Sequence, residues 1–231
     1  ADKSVQVRRE TLDSLIYLGY NCAKPLFNEV KVRQALSYAV NKAEIIKLAL
    51  GGLGEAADTL LPPTLPGYNA DLKQFGQGYD PAKAKSLLVE AGFAPSADGS
   101  WQRNGQKLGG RLLTSTRAPN DVIATVLQSQ LKAIGVTVEI QQLDSAAVMK
   151  ATTEGQFDLL LWRYDWNDPD VLNMYLSTSR IKQTNRVAYS NQEADALLER
   201  GAREMDAKKR LQIYYDAQKI LLTESPWQPL Y

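Results

Sequence analysis

Residues 162–170, with the sequence WRYDWNDPD, form an acidic and aromatic segment that could bind a cation. They follow an apolar run at 157–162 that predicts a β-strand, and ligands of α/β proteins usually bind beyond the carboxyl ends of strands. Asp165 can accept charge-assisted hydrogen bonds from a primary ammonium, while Trp162 and Trp166 exclude water and offer ring faces to the cation. The segment therefore predicts an ammonium site built on Asp165.

Arg117 is the second candidate for a ligand contact, and it lies between a predicted strand and a predicted helix. A guanidinium binds a carboxylate through two parallel hydrogen bonds, so Arg117 suits the acidic end of a short zwitterion. A solvated loop arginine is the alternative interpretation. Charged hydrogen bonds contribute about 1.5–3 kcal/mol each, whereas a micromolar site needs about 8 kcal/mol. Asp165 and Arg117 alone therefore predict weak binding.

Several neighbouring charges have simpler structural interpretations. Asp168 precedes a proline and is expected to cap a helix, and Asp170 is then a first-turn residue favoured by the helix dipole. Trp166 is open to an interpretation as a packing residue. Arg33 and Arg163 are expected to be structural charges or charges that face another lobe.

The composition argues against several function classes. The sequence holds no histidine, which removes the commonest general base and transition-metal ligand. The single cysteine, Cys22, cannot close an internal disulfide and is interpreted as a small buried residue. No glycine-rich phosphate loop or G-x-S-x-G motif occurs, and the acidic segment lacks EF-hand spacing. We therefore predict a binding protein with no catalytic residue, no cofactor and no metal.

The net charge and the hydropathy limit the kinds of partner that this protein is predicted to bind. The net charge of +1 provides no field for a polyanion, so nucleic acid is not a predicted partner. No apolar run approaches the roughly 20 residues that a membrane-spanning helix needs.

The elements that must position these residues alternate along the chain. Strands are predicted at 14–20, 112–115, 136–140 and 157–162. Helices are predicted from about 31, 41 and 81, over 120–134, 145–154, 192–204 and 207–223, and briefly after Pro169. A hairpin containing Trp101 is predicted within 94–110, and an ordered surface excursion over about 53–79. The pattern predicts an α/β fold with a mixed β-sheet flanked by helices.

Two helix starts carry clear capping signals. Asn41 with Glu44 three residues later has the pattern of a capping box. Asp80 followed by Pro81 predicts the start of another helix, which Gly92 ends.

Both ends of the sequence indicate a portion of a longer protein. The first residue is Ala1 and not methionine, and residues 227–231 have the apolar character of a strand without an evident partner. We therefore interpret 1–231 as one ligand-binding domain excised from a larger chain.

Three segments together resemble a known family. They are YLGYN at 17–21 with VKVRQALSYAVNK at 30–42, then YDPAKAKSLLVEAG at 79–92, then FDLLLWRYDWNDPD at 157–170 with YSN at 189–191. In this order they resemble the C-terminal lobe of the family-5 solute-binding proteins of ABC importers, which bind dipeptides, oligopeptides or nickel.

The resemblance implies one lobe of a type II periplasmic-binding-protein-like fold. It implies a two-lobed receptor that closes on a short peptide or other small solute and delivers it to the membrane subunits of an ABC permease. The other lobe would be the missing part of the same chain. Localisation would be periplasmic or extracellular, with a lipid anchor as one option. By resemblance, Asp165 receives a peptide α-ammonium, Trp162 lines the pocket and Arg117 holds the C-terminal carboxylate.

Other ligands stay open at this point. The same family also carries oligosaccharides and nickel chelates. Trp162, Trp166 and Trp101 could form the aromatic platforms of a sugar site, whereas nickel is disfavoured because no histidine is present. A module that only docks a partner would show a contiguous exposed apolar patch.

Overall fold

The computed structural model describes residues 10–231, and its framework is a five-stranded sheet in the order β6-β5-β7-β1-β8. The strands of the described chain are β1 Ser14–Tyr20, β2 Ala94–Pro95, β3 Trp101–Arg103, β4 Gln106–Lys107, β5 Gly109–Ser115, β6 Thr137–Leu143, β7 Leu159–Asp165 and β8 Trp227–Pro229. Strand β5 pairs in parallel with β6 and β7, and β1 pairs antiparallel with β7 and β8. The predicted mixed sheet is confirmed. The predicted hairpin within 94–110 is a separate three-stranded sheet, β2-β3-β4.

Helices cover both faces of the large sheet. The α-helices of the described chain are α1 Val30–Tyr38, α2 Lys42–Ala49, α3 Pro81–Glu90, α4 Asn120–Ala133, α5 Ser145–Thr153, α6 Val171–Leu176, α7 Gln192–Arg203 and α8 Ala207–Glu224. Short 3₁₀ helices lie at Ala70–Phe75 and Thr178–Arg180. The helical positions predicted from the sequence agree with these bounds to within a few residues.

Side chains alternate between the two faces of the sheet, and this gives two main hydrophobic cores, one on each face. Successive strand residues point to opposite faces, so Leu18 and Leu161 pack under α1 to α4. Tyr17 and Tyr164 lie on the other face under α6 to α8. A smaller cluster around Leu113 packs under α5. The sheet is therefore buried on both faces, and its strand ends are where ligand-binding groups can be exposed.

Strand β7 is longer than the sequence predicts, and this changes the setting of Asp165. The predicted strand ends at Trp162, but the ladder with β1 continues until Ser14 lies opposite Asp165. The sequence after Trp162 alternates charged Arg163 and Asp165 with buried Tyr164, which is the pattern of a half-buried strand. The prediction that Asp165 lies past the strand is therefore wrong, because it is the last residue of β7.

The capping box at α2 is only half formed. Asn41 accepts a hydrogen bond from the Glu44 N–H at 3.1 Å, as predicted. The return bond comes from another helix, because the Asn41 N–H donates to Gln130 Oε1 at 3.0 Å. Gln130 also donates to Glu44 at 2.8 Å. This polar triad fixes α2 against α4, whose first turn borders the site described below.

The last strand finds its partner inside the chain. In β8, Pro229 lies opposite Tyr17 in the antiparallel ladder with β1. The Trp227 ring stacks on Tyr17 with centroids 4.0 Å apart. Ala1 lies outside the described residues.

Arg33 is structural, as its sequence context predicts. Its side chain lies in the interior at 2% exposure. The guanidinium donates to the carbonyls of Phe27 at 3.0 Å, Asn28 at 2.8 Å and Glu224 at 2.9 Å. Arg33 thereby joins the segment before α1 to the end of α8.

Replacing Arg33 with Met should lower the free energy of unfolding by at least about 3 kcal/mol, because three carbonyls lose their donor in a buried setting. Lys31→Met on the same helix is the matched control: its ion pair with Glu90 is exposed and should cost less than about 1 kcal/mol. Urea unfolding of both variants measures the difference. Equal losses would contradict the structural role of Arg33.

Candidate ligand-binding site

A shallow cleft opens at the carboxyl ends of β5 and β7. It encloses about 80 Å³ and is lined by Ile16, Ser115, Arg117, Asn120, Ser145, Trp162 and Arg163. Pockets that enclose small-molecule ligands usually measure about 300–1,000 Å³. A ligand of dipeptide size would therefore stand partly outside this cleft and need a second surface to cover it.

A second cavity follows the same edge of the sheet towards β1. It encloses about 270 Å³, and its lining includes Ser14, Glu55, Asp58, Lys73 and Tyr231. Ser14 lies opposite Asp165 in the β1–β7 ladder. Asp165 is not among the lining residues of either cavity; it stands at the strand end opposite Ser14.

The turn that carries Arg117 is anchored to the sheet. The Asn120 side chain donates to Thr114 Oγ1 at 3.1 Å and to Ser115 Oγ at 3.0 Å. Thr114 Oγ1 in turn donates to the carbonyl of Leu161 in β7 at 3.2 Å. The Asn120 N–H closes the turn on the Arg117 carbonyl at 2.9 Å. The Arg117 side chain is exposed on this fixed support.

Trp162 connects the cleft with the interior. It lies within β7 opposite Tyr17 and packs between the α5 core and the α6–α8 core. The Arg186 guanidinium lies 5.6 Å from the Trp162 ring centroid. One part of the ring is therefore held by a cation–π contact while another lines the cleft.

Asp165 is joined to the cleft by an ion pair. Arg163 Nη2 lies 2.6 Å from Asp165 Oδ2, and the two side chains are 35% and 54% exposed. Residues two apart on a strand share a face, so this pair lies on the face opposite Trp162. The structure therefore brings together Arg117, Trp162 and Arg163 at the cleft, with Asp165 attached through Arg163.

Arg163 is a functional candidate that the sequence interpretation missed. It was expected to be structural or to face another lobe and was not named as a ligand contact, but it lines the cleft beside Arg117. The sequence signal that could have identified Arg163 is the two-residue alternation over 162–165. It places Arg163 and Asp165 on one face of the sheet once the strand is known to continue. Ser115 and Ser145 were missed as well, because neither carries a charge or a motif.

Two of the tryptophans considered as platforms of a sugar site, Trp166 and Trp101, differ in their exposure. Trp166 is 39% exposed, and its backbone N–H donates to the Asp13 carbonyl at 2.9 Å. Trp101 is buried in the core under α1 to α4, with Nε1 donating to the Ile134 carbonyl at 2.6 Å. The suggestion that Trp101 serves as a ligand platform is therefore wrong.

The acidic residues after Trp166 have structural partners. Asp168 accepts two hydrogen bonds from the Arg210 guanidinium, at 2.6 and 3.0 Å, and one from the Asp170 N–H at 2.8 Å. Asp170 accepts from the Tyr214 hydroxyl at 2.7 Å. Asp170, the residue before α6, has helical dihedral angles and its side chain makes no cap hydrogen bond. Asp168 accepts the N–H two residues further on, which is the hydrogen bond of an N-cap, so the prediction that Asp168 caps the start of this helical segment is confirmed. The Asp168–Arg210 pair also ties the segment after β7 to α8.

Several other features bear on what the site can bind. Within residues 10–231, no group of three or more metal-ligating side chains could hold an ion. Over the same range, no helix has the length and apolarity to cross a membrane. Cys22 is half-buried, and burial raises the pKa of its thiol to about 11, so it is a weak nucleophile.

The fold is that of a periplasmic binding protein. The oligopeptide-binding protein AppA from Bacillus subtilis, solved in complex with a nonapeptide, matches with a TM-score of 0.86 and 30% identity, over 96% of this chain and 45% of that one. The family described as bacterial extracellular solute-binding proteins, family 5 Middle, matches residues 1–185. The chain therefore belongs to this family.

Individual relatives differ in what their names say they bind. The chain is 33% identical over 235 residues to heme-binding protein A of Haemophilus influenzae, covering 99% of this chain and 41% of that protein. It is 31% identical over 232 residues to the dipeptide-binding protein of Escherichia coli, covering 97% and 41%. The chain thus spans about two fifths of the length of these relatives.

The Asp168–Arg210 pair should make the free energy of unfolding depend on pH. Hydrogen bonds from Arg210 hold the pKa of Asp168 below its usual range, so the stabilisation is fully present above the unfolded value near 4 and is lost as pH falls through the lowered pKa. Asp168→Asn should cost less than about 1 kcal/mol at pH 7, because the Asp168 side chain is 40% exposed. Urea unfolding should show this difference unchanged from pH 7 to 5 and shrinking below about pH 4. A difference that persists undiminished at pH 2 would contradict the pairing.

Proposed function

We propose that this chain is one lobe of a two-lobed receptor that captures short peptides and delivers them to an ABC permease. The observation that carries the proposal is that Arg117 lies two residues past the end of β5, while Trp162 and Asp165 lie in the neighbouring strand β7, with Asp165 as its last residue. Membership of the solute-binding family supports it, and so does the likeness to relatives named for dipeptides and oligopeptides.

The spacing along this edge suits a short zwitterion. Leu113 in β5 lies opposite Leu160 in β7, so Arg117 and Asp165 lie at comparable heights beyond these partners. Adjacent strands are about 4.8 Å apart, and two extended residues span roughly 7 Å. A peptide could therefore place its carboxylate on Arg117 and its ammonium on Asp165 while its side chains contact Trp162.

The shallow cleft supports capture between two lobes. At about 80 Å³ it cannot surround a peptide, and an open, wet site weakens each charged contact. A second lobe closing on this edge would exclude water and supply the missing contacts. The receptor would act in the periplasm or outside the cell, with a lipid anchor as one means of retention.

The proposal is tested by the thermal midpoint of the full-length receptor with dipeptides, longer peptides and cello- or xylo-oligosaccharides. A ligand at 100 times its dissociation constant adds about 2.7 kcal/mol, which raises the midpoint by several degrees. Peptides should produce this shift in the wild type, and Asp165→Asn should abolish it because the ammonium loses its counter-charge.

The matched control is Asp216→Asn, which makes the same change in an ion pair on α8 and should respond like the wild type. If only the sugars shift the midpoint, the receptor class survives and the peptide assignment fails. If Asp165→Asn responds to peptides like the wild type, Asp165 is not the ammonium site.

A further inference from the structure

The charges at the cleft do not balance. Arg117 and Arg163 line it, and among the described residues that line it none is acidic. The carboxylate that contacts one of these guanidinium groups is Asp165, which pairs with Arg163 at 2.6 Å. Two guanidinium groups and this one carboxylate sum to a charge of +1.

The charges of the second cavity do not remove this excess. In the second cavity, Asp58 pairs with Lys42 at 2.8 Å, and the remaining charges of its lining, Glu55 and Lys73, are opposite in sign. Tyr231 is near enough for the charge on Arg163 to influence its pKa, but burial raises that pKa above its usual value, so the phenol stays neutral. Of the two cavities, the Arg117–Arg163 cleft is therefore the one whose lining carries unbalanced positive charge.

A zwitterionic dipeptide would not correct the imbalance, because its own charges sum to zero. Its ammonium would also compete with Arg163 for Asp165. A guanidinium freed from that pair, in a site that closure dries, is costly unless a new carboxylate meets it. A ligand with one additional carboxylate satisfies both requirements, since an Arg fork binds a carboxylate bidentately.

We propose that Arg163 is a specificity-determining residue that makes this site prefer short peptides carrying one additional carboxylate. The inference rests on the proposed function and deepens it. The ligand's ammonium takes a share of Asp165, and the released guanidinium of Arg163 binds the acidic side chain. Residues two apart on a strand are roughly 7 Å apart, so the acidic residue is expected at the first or second position of the peptide.

Calorimetric titration of the full-length receptor with Ala-Ala and Glu-Ala tests this inference. The wild type should bind Glu-Ala at least tenfold more tightly than Ala-Ala. Arg163→Gln leaves Arg117 and Asp165 as a balanced pair and should remove or reverse this preference, with Ala-Ala bound at least as tightly as before. Arg163→Lys keeps the charge and should keep part of the preference.

Arg200→Gln is the control, because it removes the same charge from an exposed position on α7 and should leave the preference unchanged. Equal affinities of the wild type for the two peptides would overturn the inference and leave the proposed function standing. So would an Arg163→Gln variant that weakens both peptides equally, because Arg163 would then serve closure and not selection. If the wild type binds neither of these peptides nor any longer one, the proposed function fails and this inference fails with it.

Discussion

The pairing of strand β7 on both sides is the constraint on which the rest of the structure depends. It joins the parallel unit β5-α4-β6 to the antiparallel strands β1 and β8. The ladder with β1 holds β7 extended as far as Asp165. This single ladder decides where the strand ends, and with it which side chains stand at the open edge of the sheet.

The two-residue period of β7 then determines on which face of the sheet each candidate side chain lies. Trp162 falls on the face of the aromatic core, with Tyr17 opposite it in the ladder. Arg163 and Asp165 fall on the other face and form an ion pair. Asn120 fixes the Arg117 turn to β5, and the Asp168–Arg210 pair fixes the chain after β7 to α8. The edge is thus held partly by Asn120, which itself lines the cleft, and partly by the Asp168–Arg210 pair outside it.

Much of this fold follows from local sequence signals. The caps at Asn41 and Asp80, and the β-α-β pattern ending in Thr137–Leu143, all reappear in the structure. What could not be predicted depends on residues distant in sequence: β1 extends β7, Gln130 replaces half of a capping box, and Ile134 accepts the Trp101 donor. The ion pair of Arg163 with Asp165 depends on that same long-range ladder. The sequence therefore predicted the helices, strands and caps better than it predicted the long-range contacts between them.

We propose that ligand binds at the edge formed by the ends of β5 and β7. Hydrogen–deuterium exchange of the full-length receptor, with and without a saturating dipeptide, measures this directly. We expect slower amide exchange in residues 113–120 and 162–166, because bound peptide and closure remove both segments from water. Slower exchange confined to other parts of this chain, such as the small sheet at 94–107 or the surface of α7 and α8, would contradict it.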